Sequence, residues 1–414
     1  MTHAGAFVKR HDGPIGDLSD KNIALWHSHG RYYNQDDDRW QWQRPRLFGT
    51  VEDLYTSSYV VPFLIPMLEN SGAYVMTPRE RDTSPIEIII DGDGGLAAHD
   101  GYHEHSGKHS WEGTSTTGFA YHKPTLLKGD NPFKQGTTRM VHAVAENDEP
   151  STAQWRTRIP KSGTYAVYIS YATLPESSSD VTYHVNAADG RHSFTVDQRK
   201  GGGTWVYLGS FPFSASGHNR AIVELTNQTS TGKGVITADA VKIGGGMGNV
   251  ARKGALADYN VSGYPRFSEA ARYYLQWAGA PDSVYCESNG ENDYTDDFKS
   301  RGLWVNWLLG GSTKLPKREG LGIDIDMSMG FHSDAGLTTA DSIIGTLGIY
   351  CTERRGRFAD GRSRLLSRRL TDSIVSSVVR TASVNYRPDW TRRKMRDKSY
   401  AEARMPQVPS MLLE

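Results

Sequence analysis

The residues best suited to chemistry are histidines and carboxylates at the ends of apolar runs. Ile23-Ala24-Leu25-Trp26 reads as a short buried strand that passes straight into His27-Ser28-His29-Gly30. His332 follows the alternating run Ile323, Ile325, Met327, Met329, Phe331 in the same manner. Glu52 opens the helical pattern after the first strand. Ligands of open α/β sheets bind at the carboxyl edge of the strands, so these three residues meet if the two strands are parallel neighbours. Two histidines and a glutamate make an open three-ligand set of the kind catalytic zinc uses. Such a metal polarises a carbonyl and lowers the pKa of its water to about 7. Glu414, after the last apolar run, is placed to act as general base. Taken singly, each has a plainer reading: a strand-end histidine is usually a hydrogen-bonded structural residue, and an early helical glutamate answers the helix dipole.

The elements that must position these groups fall into three zones. In the first, to about residue 83, the strand is followed by a helical spacing of Leu54, Val61, Leu64, Ile65 and Leu68, interrupted by Pro62 and Pro66. That pattern predicts a kinked helix. Asn70-Ser71-Gly72 stops it, and Ala73 to Met76 forms the next strand, completing a βαβ unit. The second zone, 84–249, begins with a linker segment and then shows short alternating runs from Trp155 onward, separated by Gly-, Ser- and Asp-rich turns. This grammar predicts an antiparallel β-sandwich over about 150–246. The third zone, 250–414, returns to helix and strand alternation, with helices over Pro265–Ala278, Arg301–Leu309 and around Leu365–Val379. The expected fold class is therefore α/β, a mostly parallel sheet domain interrupted by an antiparallel β-sandwich. No internal repeat is found.

Composition limits the function classes. The chain has 414 residues, with 47 basic and 47 acidic side chains, 37% hydrophobic residues and 23% charged. An even charge balance excludes a chain that is basic overall and built to coat nucleic acid. Arg354 to Arg404 nevertheless holds 15 Lys/Arg against 5 Asp/Glu, which reads as a solvated helix face or a hold for an anionic polymer. Apolar stretches such as Val60 to Leu68 are too short and Pro-broken to span a bilayer. Two cysteines, Cys286 and Cys351, make no disulfide framework. The first thirteen residues lack the apolar core of a signal peptide, and the chain stops just after an apolar run, so a fragment is expected.

Longer segments carry a resemblance. Ile23-Ala-Leu-Trp-His-Ser-His29-Gly30 resembles the strand and Pro-Gly-His-Gly-Gly turn of zinc-dependent N-acetylmuramoyl-L-alanine amidases. Val51-Glu52-Asp53, Gly72 to Arg79 with Arg81-Asp82, Arg301 and Asn306, Phe331-His332-Ser-Asp334-Ala, and Val408-Pro-Ser-Met-Leu-Leu-Glu414 follow that family's segments in order. The resemblance implies that His29, Glu52 and His332 hold Zn2+ and that Glu414 is the catalytic acid/base. It departs from the family where His27-Ser28 replace Pro-Gly and where Asp334 replaces an asparagine, so His27 and Asp334 are supporting or alternative ligands.

In the middle zone, Gly163-Thr-Tyr-Ala-Val-Tyr-Ile-Ser-Tyr171, Gly201-Gly-Gly-Thr-Trp205-Val-Tyr207-Leu-Gly209 and Thr237-Ala-Asp239-Ala-Val resemble a golvesin C-terminal-like, or xanthan-lyase carbohydrate-binding-like, β-sandwich. Trp205, Tyr207 and Tyr171 then either stack on sugar rings or fill the sandwich core. Together the resemblances imply a periplasmic or extracellular zinc amidase acting on peptidoglycan, with glycan as partner, no nucleic acid and no membrane span. A polysaccharide lyase and a non-catalytic wall-binding protein are the alternatives.

Smaller features include His99, His103, His105 and His109 in a polar loop, and the acidic turn of Asp293, Asp296 and Asp297. Asp91-Gly92-Asp93-Gly94 mimics part of a calcium loop without its downstream glutamate.

Overall fold

The computed structural model describes residues 6–47, 49–98, 101–215, 219–254, 258–333 and 343–414. Its site-bearing sheet has six strands in the order Arg396–Asp397, Gly348–Tyr350, Ser410–Leu413, Met327–Phe331, Asn22–His27 and Tyr74–Met76. Asn22–His27 pairs in parallel with Met327–Phe331 and with Tyr74–Met76, and Met327–Phe331 pairs in parallel with Ser410–Leu413. Gly348–Tyr350 runs antiparallel to Ser410–Leu413.

Asn22–His27 is buried throughout because both its faces are covered. Ile23 and Leu25 pack with Val375, Met329 and Met411, beneath the helix Leu365–Asn385. Ala24 and Trp26 pack on the other side with Leu303 and Trp304 of the helix Asp293–Leu309. Gly330 is needed beside Trp26, since a Cβ there would lie 2.5 Å from the indole Nε1.

The helical run after the first strand spans Glu52–Asn70 and widens into a π-turn over Val60–Leu64. Pro62 sits within that turn and has no N–H to donate, which accounts for the break expected from the sequence.

The remaining large sheets are antiparallel. One orders Val8–Arg10, Arg191–Val196, Val181–Asn186, Arg220–Thr226, Thr152–Thr157 and Tyr102–His105. The second orders Val206–Phe213, Gly163–Ile169, Val241–Ile243 and Ile88–Ile90. A three-stranded sheet of Val235–Ala238, Gly136–His142 and Glu112–Gly118 adjoins them.

The expected fold class, α/β on a mostly parallel sheet, is therefore corrected. Strand makes up 32% of the residues against 20% helix, and among the described strands parallel ladders occur in one sheet only. The error has an identifiable source. Segment 84–149, expected as linker, supplies strands such as Ile88–Ile90, Tyr102–His105 and Glu112–Gly118. The last of these, Glu-Gly-Thr-Ser-Thr-Thr-Gly, has no apolar alternation to betray it. Val8–Arg10, ahead of the first expected strand, also joins the sandwich.

The sandwich is locked to the site-bearing unit by a fully buried ion pair. Lys242 Nζ lies 2.8 Å from Glu80 Oε2, with both side chains at 0% exposure. Lys242 also donates to the Gly244 carbonyl at 2.9 Å, and the Tyr168 hydroxyl donates to Glu80. A second buried carboxylate is less well compensated: Glu269 is 1% exposed, its Oε1 has no hydrogen-bond partner, and burial pushes it up to about 7 against the pull of Ser262, Arg266 and Arg79.

Two stability predictions follow from these groups. Lys242→Met alone strands Glu80 and is expected to cost about 3–5 kcal/mol in urea unfolding, whereas Lys242→Met/Glu80→Gln recovers most of that loss. Equal losses in the single and double variants would show that the pair is not coupled. Glu269 binds its proton more tightly when folded, so its contribution is present below pH about 4.5 and is lost as pH rises through about 7. Glu269→Gln should therefore stabilise the protein at pH 8 by on the order of 2 kcal/mol and leave it nearly unchanged at about pH 4. A pH-independent difference contradicts this.

Candidate metal centre

Three parallel strands place the site at one edge of the sheet. After His27 the chain turns at Ser28, whose φ of +50° is left-handed and uncommon for a residue with a side chain. That turn separates the two neighbouring histidines. His27 stays in the strand, wholly buried, with neither ring nitrogen hydrogen-bonded. His29 moves out over the edge, and Gly30 lets the chain pass the Glu269 backbone, where a Cβ would meet the carbonyl carbon at 2.5 Å.

His332 leaves its strand one ladder away, its N–H donating to the Leu413 carbonyl at 2.8 Å. Glu52 enters from the start of the helical run. Its Oε1 accepts from Ser28 Oγ at 2.6 Å and lies 3.1 Å from His332 Nδ1 and 3.8 Å from His29 Nε2. The two imidazole centroids are 4.9 Å apart. His29, Glu52 and His332 each offer a ligand atom within 4.8 Å of the others, and among the described residues no other group of three or more His, Cys, Asp or Glu does so.

A second layer holds these side chains. Glu402, from the short helix Ala401–Arg404, places Oε1 2.5 Å from Trp26 Nε1, 2.8 Å from Arg301 Nη1 and 3.3 Å from His332 Nε2. Arg301 also reaches His29 Nδ1 at 3.0 Å and pairs with Asp297, one helical turn earlier. Asp297 in turn accepts from Gln43 Nε2 at 2.6 Å, and Arg44 Nε stands 3.5 Å from Glu52 Oε2.

These contacts give the two histidines opposite electrostatics. Burial, helped by Arg301 and His332, holds His29 well below the usual histidine range, so it is neutral. Burial pushes His332 down too, but Glu402 and Glu52 outweigh it and raise the ring to about 9. Burial alone would raise Glu402; Arg301 and His332 bring it to about 2. Glu52 is likewise held low against its burial, chiefly by His332, Ser28 and Arg44. A positive charge thus already sits between two carboxylates on the His332 ring.

The donor set fits a divalent cation on two counts. It is the His2Glu chemistry of open zinc sites. In addition, the buried Nε2 of His29, which faces Glu52, has no hydrogen-bond partner. Two features oppose it: as acceptor from Arg301 the neutral His29 ring keeps its hydrogen on Nε2, so ligation through Nε2 requires that contact to open, and the positively charged His332 ring must lose a proton before it can ligate.

The other residues singled out from sequence are placed as follows. Glu414 directly follows the strand Ser410–Leu413, beside His332, with its backbone paired both ways to Leu347. Asp334 and His99 lie outside the described residues. Asp293, Asp296 and Asp297 are buried at the start of the helix Asp293–Leu309, and Asp293 is taken up by Arg252 and Arg272.

Sugar stacking on Trp205 and Tyr171 is ruled out by burial. Trp205 is 6% exposed against Phe119, Phe133 and Trp277, and Tyr171 is 1% exposed with its hydroxyl on the Lys200 carbonyl. Tyr207 is half-buried with the Arg81 guanidinium over its ring at 3.9 Å, so that face is also taken. Glu402 was not singled out from the sequence, and no spacing signal marks it: its partners Trp26 and Arg301 lie 376 and 101 positions away.

Comparison with known proteins bears on the sandwich. A family model described as the Golvesin C-terminal domain matches residues 128–245. Among curated proteins no sequence relative is found. Among solved structures, a Paenibacillus xanthan lyase is similar at 21% identity and a TM-score of 0.29, over 39% of this chain but only 13% of the lyase. A carbohydrate binding module from Cellvibrio mixtus lichenase 5A is similar at 16% identity and a TM-score of 0.20, over 33% of this chain and 86% of the module. The mannan binding module from Man5C is similar at 14% identity and a TM-score of 0.17, over 26% of this chain and 80% of the module.

Proposed function

We propose that the protein acts on a glycan-bearing polymer of the cell envelope, outside the cytoplasm, as a zinc-dependent hydrolase. The bond we assign is the amide between N-acetylmuramic acid and L-alanine in peptidoglycan. The observation that carries the hydrolase reading is the convergence of His29, Glu52 and His332 at one sheet edge. The Golvesin C-terminal match over 128–245 supports the glycan side, and the amide is the bond implied by the resemblance of the strand-end segments to the amidases.

Zinc, when bound, supplies a Lewis acid for the scissile carbonyl and acidifies a coordinated water. The chain's own residues do the rest. His29 and His332 present ring nitrogens, and Glu52 a carboxylate oxygen, as donors. Glu402 holds the His332 ring from behind, and Arg301 releases His29 Nδ1 so that the ring can turn its Nε2 lone pair to the ion. Glu414, beside His332, takes the proton from the attacking water and returns it to the leaving amine.

The match to a Golvesin C-terminal domain also favours a second reading, in which the chain binds or cleaves polysaccharide without amide hydrolysis. Purified protein loaded with one equivalent of zinc and incubated with peptidoglycan separates the two. The hydrolase reading predicts new L-alanine amino termini, loss of product on chelation, and a fall of at least about a hundredfold for His29→Ala and for His332→Ala. A product absorbing in the ultraviolet from an unsaturated sugar identifies a lyase instead. Retention on glycan with no product identifies a binding protein.

A further inference from the structure

The helical run that opens with Glu52 carries apolar residues on both of its sides. Val60 and Ile65 belong to the core with Met329 and Met411, and Leu64 and Leu68 pack beside them. On the outer side, Tyr55, Tyr59, Phe63 and Met67 recur at intervals of four, the spacing that builds one ridge of a helix. Leu54, Tyr55 and Tyr59 are each a little under half exposed, and Phe63 and Met67 are 56% and 63% exposed. The Tyr55 and Tyr59 rings meet edge to face at 5.0 Å. From Leu54 to Leu68 there is no Asp, Glu, Lys, Arg or His. A helix that is apolar all round has the pattern of one buried on all sides, and this one is covered on one side only.

The composition of the stripe selects its cover. Leu54, Phe63 and Met67 offer a sugar no hydrogen bond, and Ser58 Oγ, beside Tyr59, is already spent on the Tyr55 carbonyl at 2.6 Å. Helices that lie on lipid carry Lys and Arg along their polar face, and this run has none. Aromatic residues and methionine without charge are the makeup of a protein interface core. Each of the five side chains exposes on the order of 100 Å², so two such stripes together cover about 1,000 Å², the area at which a specific contact begins. A second copy supplies the matching face with no further requirement, since an uncharged ridge is complementary to itself about a twofold axis.

We propose that this stripe is the contact of a twofold dimer of the chain, in which the run Glu52–Asn70 packs against its own copy through Tyr55, Tyr59, Phe63 and Met67. The four-residue ridge of each helix seats beside that of the other. Because Tyr55 lies one helical turn beyond Glu52, the contact also braces the element that presents this carboxylate at the histidine edge.

Sedimentation velocity of the full chain at about 50 µM tests the proposal and should give twice the mass of one chain. Phe63→Glu sets a carboxylate in the dry centre of the contact on both copies and should weaken association by at least about a hundredfold, with an unchanged circular dichroism spectrum. Phe63→Leu keeps an apolar side chain there and should still dimerise. A monomeric unaltered chain, or a Phe63→Glu variant that remains dimeric, overturns the proposal. In a monomeric chain, loss of retention on peptidoglycan by Phe63→Glu gives the stripe to glycan instead. Should Phe63→Glu fail to fold, Tyr59→Cys treated with a short bismaleimide decides, because Cys286 and Cys351 are buried. Two copies should be joined through residue 59, whereas Val384→Cys, on the exposed side of the helix Leu365–Asn385, should stay single. No joining through residue 59, or equal joining through residue 384, overturns the dimer equally.

Discussion

The site depends on one carboxylate oxygen. Glu402 Oε1 gathers the Trp26 indole, the Arg301 guanidinium and the His332 ring, tying the strand Asn22–His27, the helix Asp293–Leu309 and the end of the strand Met327–Phe331 to the short helix Ala401–Arg404. A buried carboxylate is tolerable only when its partners are this complete. Arg301 passes the same constraint to His29 and to Asp297, so the positions of both histidines are set by one connected set of charges. The convergence of residues 29, 52 and 332 is thus a property of the core rather than of three independent side chains.

That core is shared with the sandwich. The inner faces of the antiparallel sheets, Trp26 and the helix Asp293–Leu309 contribute to one continuous apolar cluster. Lys242 and Glu80 add a polar lock at the same boundary, where breaking either partner leaves a charge in a dry environment. The sandwich is consequently a structural support of the histidine edge. Parallel strands contributed from opposite ends of the chain need such support, because none of them can close the sheet locally.

Much of the site was legible in the sequence, and the reason is geometric. Apolar runs that end in His29 and His332 declare their carboxyl edges, and Glu52 opens the element that must follow the first strand. The break at Pro62 was equally legible, because proline acts through its own missing donor. What escaped was decided by partners far along the chain. Glu402 lies in a stretch read as a solvated basic face, and nothing near it announces Trp26. Trp205 and Tyr171 lie just outside the strands Val206–Phe213 and Gly163–Ile169, where surface aromatics also occur, and partners far along the chain, such as Phe119, Phe133 and Trp277 on Trp205, bury them. The polar strands of 84–149 carry no apolar period at all, so their pairing, and with it the predominance of antiparallel sheet, was hidden.

His29, Glu52 and His332 are proposed to share one ion, and X-ray absorption at the zinc edge tests that sharing. With one equivalent of zinc bound, the first shell should contain two imidazole nitrogens at about 2.0–2.1 Å and oxygens at about 2.0–2.2 Å, and one nitrogen should vanish in His332→Ala. A shell made only of oxygen, or two imidazoles that persist in that variant, would contradict it.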